Sequence, residues 1–237
     1  MIRARQVHKR YAAFQAVHPM DLDVEDGEVF GFLGLNGAGK TTTLRMLAGV
    51  LPVTGGTIEI DGRDLVKDPV ESRRQMGFIP DRPYLYDKLT AREFLRFIGN
   101  VYGMASTGLD AACDAVLEQH ALLDWGDALI ESLSHGMKQR LVLAGALLHQ
   151  PRLLIVDEPM VGLDPRGARQ IKETFRTFAA EGRTVFLSTH TLAVAAEVCD
   201  RLAIIHKGRI AVMGTLREVC GEETLEDVFL RITGGEA

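Results

Sequence analysis

Gly34-Leu35-Asn36-Gly37-Ala38-Gly39-Lys40-Thr41-Thr42 fits the pattern G-x-x-x-x-G-K-[ST] and stands directly behind the apolar run Val29-Phe30-Gly31-Phe32-Leu33. That run reads as a buried strand, and Thr43-Leu44-Arg45-Met46-Leu47-Ala48 reads as the first turns of a helix. Strand, glycine loop and helix in this order make a phosphate-binding loop. Gly37 and Gly39 let backbone N–H groups turn inward on an anion, and the helix N-terminus adds unpaired donors and the positive end of its dipole. Lys40 supplies a point charge for β- and γ-phosphates, and the Thr41 hydroxyl is of the type that ligates Mg²⁺. Asn36 and Thr42 belong to the same loop and join it as nucleotide-binding candidates.

Outward from the loop, 237 residues suffice for one large α/β domain or two small ones. A composition of 46% hydrophobic and 25% charged residues is that of a folded globular chain, with disorder expected only at the Gly234-Gly235-Glu236-Ala237 end. The formal charge of −5, with no basic stripe, argues against a nucleic-acid backbone as partner. Three widely spaced cysteines, Cys113, Cys199 and Cys220, form no C-x-x-C pair and point to neither a disulfide framework nor zinc; a reducing cytosol fits them. The N-terminus lacks an apolar leader core, and no window approaches the ~20 apolar residues of a membrane span. Work at a membrane therefore requires a partner that holds the chain there.

Ahead of the loop, residues 2–7 and 20–24 read as strands, with Tyr11 in the connection and Glu25-Asp26-Gly27 as a hairpin turn into the next strand. Tyr11 is a candidate to stack on an adenine face, the alternative being a surface or core tyrosine. Past it, residues 51–56 break the chain, residues 57–60 read as a strand, and Met76-Gly77-Phe78-Ile79-Pro80 reads as a strand leaving the sheet. From Thr90 the character turns helical, opened by the capping box Thr90-Ala91-Arg92-Glu93. Leu133-Ser134-His135-Gly136-Met137-Lys138-Gln139-Arg140 precedes an apolar helix over residues 141–148, placing Ser134 and the N–H groups around Gly136 at a helix N-terminus, which on chemistry alone is more often just a well-capped helix than an anion site.

Leu153-Leu154-Ile155-Val156-Asp157-Glu158-Pro159 reads as a buried parallel strand whose acidic end emerges where open α/β sheets bind ligands. There Asp157 is a candidate to hold Mg²⁺ and Glu158 a candidate general base for water attacking a γ-phosphate. Val161-Gly162-Leu163-Asp164-Pro165 reads as a turn before a helix, and residues 184–190 as a buried strand ending in His190, a residue type more often structural than catalytic at such a place. A hairpin over residues 202–213 and a short amphipathic helix over residues 225–232 close the chain.

Taken together, the phosphate loop, the Ser134-x-Gly136 segment just before the Asp157-Glu158 strand, and the strand ending at His190 resemble the ATP-binding subunit of ABC transporters over essentially the whole chain. The resemblance implies a single domain over residues 1–237. Its fold would be an α/β P-loop NTPase (RecA-like) core with an N-terminal antiparallel β subdomain and an α-helical subdomain inserted at about residues 84–150. It implies ATP and Mg²⁺ as cofactors, and a head-to-tail dimer with a second copy or a homologous ATPase subunit. Each ATP would lie between the loop of one subunit and Ser134 and Gly136 of the other. On that pattern Tyr11 stacks on adenine, Thr41 and Asp157 organise Mg²⁺, Glu158 polarises water, His190 contacts the γ-phosphate, and Asp164 lies in a loop crossing the interface. The remaining partner would be a polytopic transmembrane permease holding the chain at the cytoplasmic face of the membrane, with no nucleic acid.

Two departures stand out. The signature usually reads Leu-Ser-Gly-Gly-Gln, whereas His135 and Met137 occur here; and Asp81 takes the place of a glutamine that senses Mg²⁺. Asp81 is thus a metal-ligand candidate that would gather with Asp157 and Glu158, or else only initiates the Asp81-Arg82-Pro83 turn. With Met137-Lys138-Gln139-Arg140 and the Leu225-Glu226-Asp227-Val228-Phe229-Leu230 ending, the pattern resembles the ABC-2 subgroup, which mostly serves exporters. The competing readings are a soluble ABC-type ATPase acting as a nucleotide switch on nucleic acid or ribosomes, and a small-molecule kinase. The first usually has a long coiled-coil insertion or two ATPase units, and the second leaves Ser134 and Gly136 without a role.

Overall fold

Two sheets meet at the glycine loop in the computed structural model, which describes residues 1–82, 85–160 and 163–234. The first is a four-stranded antiparallel sheet in the order β2-β1-β4-β5, built from β1 (Ile2–Tyr11), β2 (Phe14–Val24), β4 (Gly55–Ile60) and β5 (Arg63–Asp64). The second has six strands in the order β10-β9-β3-β8-β7-β6, formed by β3 (Val29–Leu33), β6 (Met76–Ile79), β7 (Leu153–Asp157), β8 (Thr184–Thr189), β9 (Arg201–His206) and β10 (Arg209–Thr215). All its pairings are parallel except the β9–β10 hairpin. Strands β3, β7 and β8 are buried along their whole length, as a parallel sheet covered on both faces demands. The helices are α1 (Lys40–Leu47), α2 (Pro69–Arg74), α3 (Ala91–Val101), α4 (Leu109–Gln119), α5 (His135–Leu147), α6 (Pro165–Ala180), α7 (Leu192–Val198), α8 (Leu216–Cys220) and α9 (Leu225–Thr233). This is the P-loop NTPase architecture with its antiparallel and helical additions.

Several boundaries differ from the sequence reading for identifiable reasons. Strands β1 and β2 run on to a turn at Ala12-Ala13, so Tyr11 ends a strand and pairs with Phe14 instead of lying in a loop. Bulges between Ala4 and Arg10 break the alternation that would have revealed the full strand. Glu25-Asp26-Gly27 is no hairpin: it carries the chain from one sheet to the other, because β8 and β9 already occupy both edges of β3. Gly55 and Gly56 are strand residues, and a Cβ at Gly56 (φ +88°) would stand 2.4 Å from the Gln6 carbonyl oxygen, so β1 approaches there at backbone contact. The signature helix begins at His135 and not at residue 141, since the Ser134 hydroxyl accepts from the Met137 N–H at 3.3 Å and caps it. Strand β5 and helix α2 were not foreseen. The Val161-Gly162 part of the expected turn, Pro83, and the 235–237 end lie outside the described residues; Asp164 caps α6 through the Gly167 N–H at 2.7 Å.

Apolar residues divide among three clusters. One, around Phe30, Phe32, Phe186 and Leu44, fills the space between the two sheets and α1; a second, around Phe175, Phe178 and Phe229, lies between the six-stranded sheet and α6, α7 and α9. The third, with Phe94, Leu95, Leu117 and Leu141, belongs to α3, α4 and α5. The helical unit therefore has its own core. Its α3 starts with the capping box expected at Thr90 and Glu93, in which both reciprocal bonds form.

Two rings of the helical unit meet the sheet edge at one carbonyl. Tyr102, just past α3, and His149, just past α5, stack with ring centroids 3.6 Å apart, and both point polar atoms at the Met76 carbonyl that begins β6, at 3.4 and 3.1 Å. Burial pushes His149 down to about 4, and His120, beside Arg140, likewise to about 4. Both rings are neutral in the folded chain at pH values where the unfolded chain would already bind protons. Stability should consequently be full above the ordinary histidine value near 6.5 and fall as pH drops from there toward about 4. Thermal melts across that window should show a shallower acid loss for His149→Phe, which keeps the stack on Tyr102 but cannot titrate; an unaltered slope would contradict the assignment.

Candidate functional site

The glycine loop is held from beneath by neighbours that leave no room for side chains. A Cβ at Gly34 would lie 2.6 Å from the Ile205 carbonyl oxygen, and one at Gly39 (φ +110°) 3.0 Å from that of Ala16. Gly37 (φ +82°) faces open space on the opposite side. Both left-handed conformations suit glycine and present backbone N–H groups toward the opening. The loop closes on itself through the Ala38 N–H to the Leu35 carbonyl at 3.1 Å, and α1 starts with the Thr43 hydroxyl donating to the Gly39 carbonyl at 2.9 Å.

Lys40 is 6% exposed, and its ammonium donates to the carbonyls of Gly34 at 2.7 Å and Leu35 at 3.3 Å, with Glu158 Oε1 at 3.6 Å. The same Glu158 oxygen lies 2.8 Å from His190 Nδ1, and the His190 N–H donates to Glu158 Oε2 at 3.4 Å. One carboxylate is thus held between a buried ammonium and an imidazole. Glu158 adopts φ 51°, a left-handed conformation that costs a non-glycine residue about 1–2 kcal/mol, with its N–H bonded to the Ser188 carbonyl at 3.1 Å. The turn from β7 spends that strain aiming the carboxylate at the loop.

Directly before it, Asp157 is buried at the end of β7, with Oδ1 accepting from the Ser188 hydroxyl and Oδ2 buried without a protein partner. An unpartnered, buried carboxylate oxygen is costly, and it fits a hard divalent cation, as does a threonine hydroxyl at Thr41. The donor chemistry accordingly suits Mg²⁺.

These groups surround a cavity of about 390 Å³, which Tyr11, Asn36, Gly37, Gly39, Lys40, Thr41, Thr42, Asp81 and Glu158 all line. The structure brings together most of the residues singled out from the sequence, with His190 attached through Glu158 and Asp157 beneath it. Asp81 also borders an adjoining cavity of about 360 Å³ with His135 and Lys138 of α5. Among the described residues, no three His, Cys, Asp or Glu side chains form a metal cluster, so Asp81, Asp157 and Glu158 do not gather into one. Ser134 and Gly136 do not line the loop cavity; they sit at the exposed N-terminus of α5. The sequence reading passed over Phe14 and Ala16, which line the cavity from β2, and Ser188, which orients Asp157. Only the β1–β2 register could have revealed the first two.

Comparisons with known proteins agree with this geometry. The sequence pattern described as "ABC transporter" matches residues 17–161. The bacitracin transport ATP-binding protein BcrA of Bacillus licheniformis is 40% identical over 211 residues, covering 89% of this chain and 68% of that one. The Nod factor export ATP-binding protein I of Paraburkholderia xenovorans (strain LB400) is 39% identical over 224 residues, covering 94% and 74%. A solved structure of an ATP-binding subunit of an ABC transporter superposes with a TM-score of 0.91 at 32% identity, covering 98% of this chain and 99% of that one.

Because the Lys40 ammonium is the buried cation facing the loop opening, Lys40→Ala should weaken ATP binding by about 10²-fold or more in calorimetry. Unchanged affinity would remove the loop from the binding site.

Proposed function

The chain belongs to the ABC transporter family, and on that premise we propose that it hydrolyses ATP as a dimer to drive an exporter's transmembrane subunit. The observation that carries the dimer is the separation of the two anion sites: the capped α5 terminus at Ser134 and Gly136 lies apart from the cavity of its own loop. A second copy, or a homologous ATPase subunit, arranged head to tail would bring that terminus onto the nucleotide. Asp164 would sit in the loop at the contact. Export follows the relatives, one named for bacitracin transport and one for Nod factor export.

The chemistry divides among the chain's own groups. Loop N–H groups and Lys40 hold the β- and γ-phosphates, the ammonium exchanging its carbonyl and Glu158 contacts for phosphate oxygens. Thr41 and Asp157 would hold Mg²⁺, whose part is to neutralise charge on the phosphates, and Asp81, which lines the same cavity as Thr41, is a further candidate ligand. Glu158 takes the proton of the water that attacks the γ-phosphorus as the bond to the β-bridging oxygen breaks, leaving ADP and phosphate. His190, just past the end of β8, fixes the direction of Glu158 and would contact the γ-phosphate. Tyr11 stacks on the adenine.

Among the described residues no helix is long and apolar enough to cross a membrane. We place the chain in the cytoplasm, docked to the inner face of the membrane by its permease. The helical unit offers an apolar surface for that contact: Tyr86 and Phe97 meet edge-on at 5.6 Å and, with Val101, are 44–65% exposed.

Glu158→Gln keeps the side-chain shape and loses the base, so the variant should bind ATP, hydrolyse it at least ~10²-fold more slowly, and accumulate as an ATP-bound dimer in light scattering. A monomeric variant with full activity would refute both the base and the shared site. For Asp81, the removal of a carboxylate from beside the phosphates should make metal-free ATP binding tighter in Asp81→Gln and flatten its dependence on Mg²⁺. Superimposable titrations would leave Asp81 as a turn residue.

A further inference from the structure

We propose that Phe14 is a second base-binding ring of the nucleotide site, set beside Tyr11 by the turn between β1 and β2, and that the pair selects purine nucleotides by their faces. The inference rests on the nucleotide reading above and adds a specificity-determining residue to it. Phe14 pairs directly opposite Tyr11 across the turn, and directly opposed residues project from the same side of a sheet. That side is the cavity: both rings line it. Ala16, two residues further along β2 and so on the same face as Phe14, lines it too, and a side chain that ends at Cβ leaves the space between ring and loop open.

The rings are placed with care that a surface hairpin does not need. Ala12 holds the turn at φ 48°, a left-handed conformation unfavourable for alanine, and so keeps Tyr11 and Phe14 in register. Lys9 lies 5.3 Å from the centre of the Tyr11 ring and is itself anchored to the Pro52 carbonyl at 2.6 Å, which steadies one face of the tyrosine. Phe14, at 66% exposed, is the most exposed of the described aromatic side chains, and it is exposed into a site whose other end is built for triphosphate. The charged and hydroxyl-bearing side chains of the cavity come from the glycine loop and from Asp81 and Glu158. The lining contributed by β1 and β2 is Tyr11, Phe14 and Ala16, whose one side-chain polar atom is the Tyr11 hydroxyl. Such a site reads a base through its π-face, and the larger face of a purine covers more of two rings than a pyrimidine does.

The test titrates the wild-type chain, Phe14→Ala and Phe14→Trp with ATP, CTP and inorganic tripolyphosphate, each with Mg²⁺. Phe14→Ala should weaken ATP about tenfold, narrow the ATP-to-CTP preference and leave tripolyphosphate unchanged, while Phe14→Trp restores ATP affinity. Wild-type affinity for ATP in Phe14→Ala would overturn the proposal, and so would an equal loss for ATP and tripolyphosphate, which reports damage to the loop instead of a lost ring. A wild-type chain that binds no ATP would remove the nucleotide reading itself, a failure the same titrations distinguish from a silent Phe14.

Discussion

An ammonium shut away from water must be answered by oxygen, and in this chain the Lys40 ammonium is answered from two directions. The carbonyls of Gly34 and Leu35 accept from it within the loop, and Glu158 supplies charge from the end of β7. A buried cation without those partners would be far more costly than the residual strain they require. The loop must therefore curl so that its early carbonyls point back at its own helix. The end of β7 must also stand within reach of the end of β3, which β8, lying between them, allows. Phosphate oxygens can replace both sets of oxygens at once. The resting contacts of Lys40 thereby describe the ligand that displaces them.

The same loop is where the two sheets touch. Ile205 of β9 and Ala16 of β2 press on Gly34 and Gly39 from below, one from each sheet. Phosphate-binding groups thus come from the six-stranded sheet and its helix, whereas the aromatic side chains come from the antiparallel sheet. A nucleotide bound at this junction spans both. Gly208, whose Cβ would stand 2.7 Å from the Ala16 carbonyl, and the His18 N–H bonded to the Gly208 carbonyl at 2.8 Å make the same seam on the other side of the hairpin.

What could be read from the chain alone was whatever local chemistry determines. The loop, the acidic strand end, the Thr90 capping box and the buried parallel strands each carry their pattern within a few residues. The pairing of β1 with β4 across a bulge does not, because the left-handed Gln6 and the close approach at Gly56 exist only when the two strands meet. Phe14 escaped notice for a related reason: its relevance depends on the register across Ala12-Ala13, and a bulged strand hides its register. The Glu25-Asp26-Gly27 turn misled because a glycine turn between two strands looks the same whether the strands pair or part. Ser188 was invisible as a partner of Asp157, since adjacency of β7 and β8 is a fact of the sheet and not of either segment.

Strand β6 gives the helical unit a mechanical route to the nucleotide. At its start the Met76 carbonyl receives both Tyr102 and His149, the residues that end α3 and α5. Past its end the chain reaches Asp81, which lines the loop cavity together with Glu158 and borders a second cavity with His135 and Lys138 of α5. The strand itself is four residues, Met76 to Ile79, about 13 Å of backbone bonded in parallel to β7. A paired strand transmits displacement along its length far better than a loop does. The helical unit thus meets β6 at the Met76 end and, at the α5 terminus, borders a cavity that Asp81 also lines. Since β7 ends in Asp157 and runs into Glu158, the element that feels the helical unit is hydrogen-bonded to the element that carries the carboxylates.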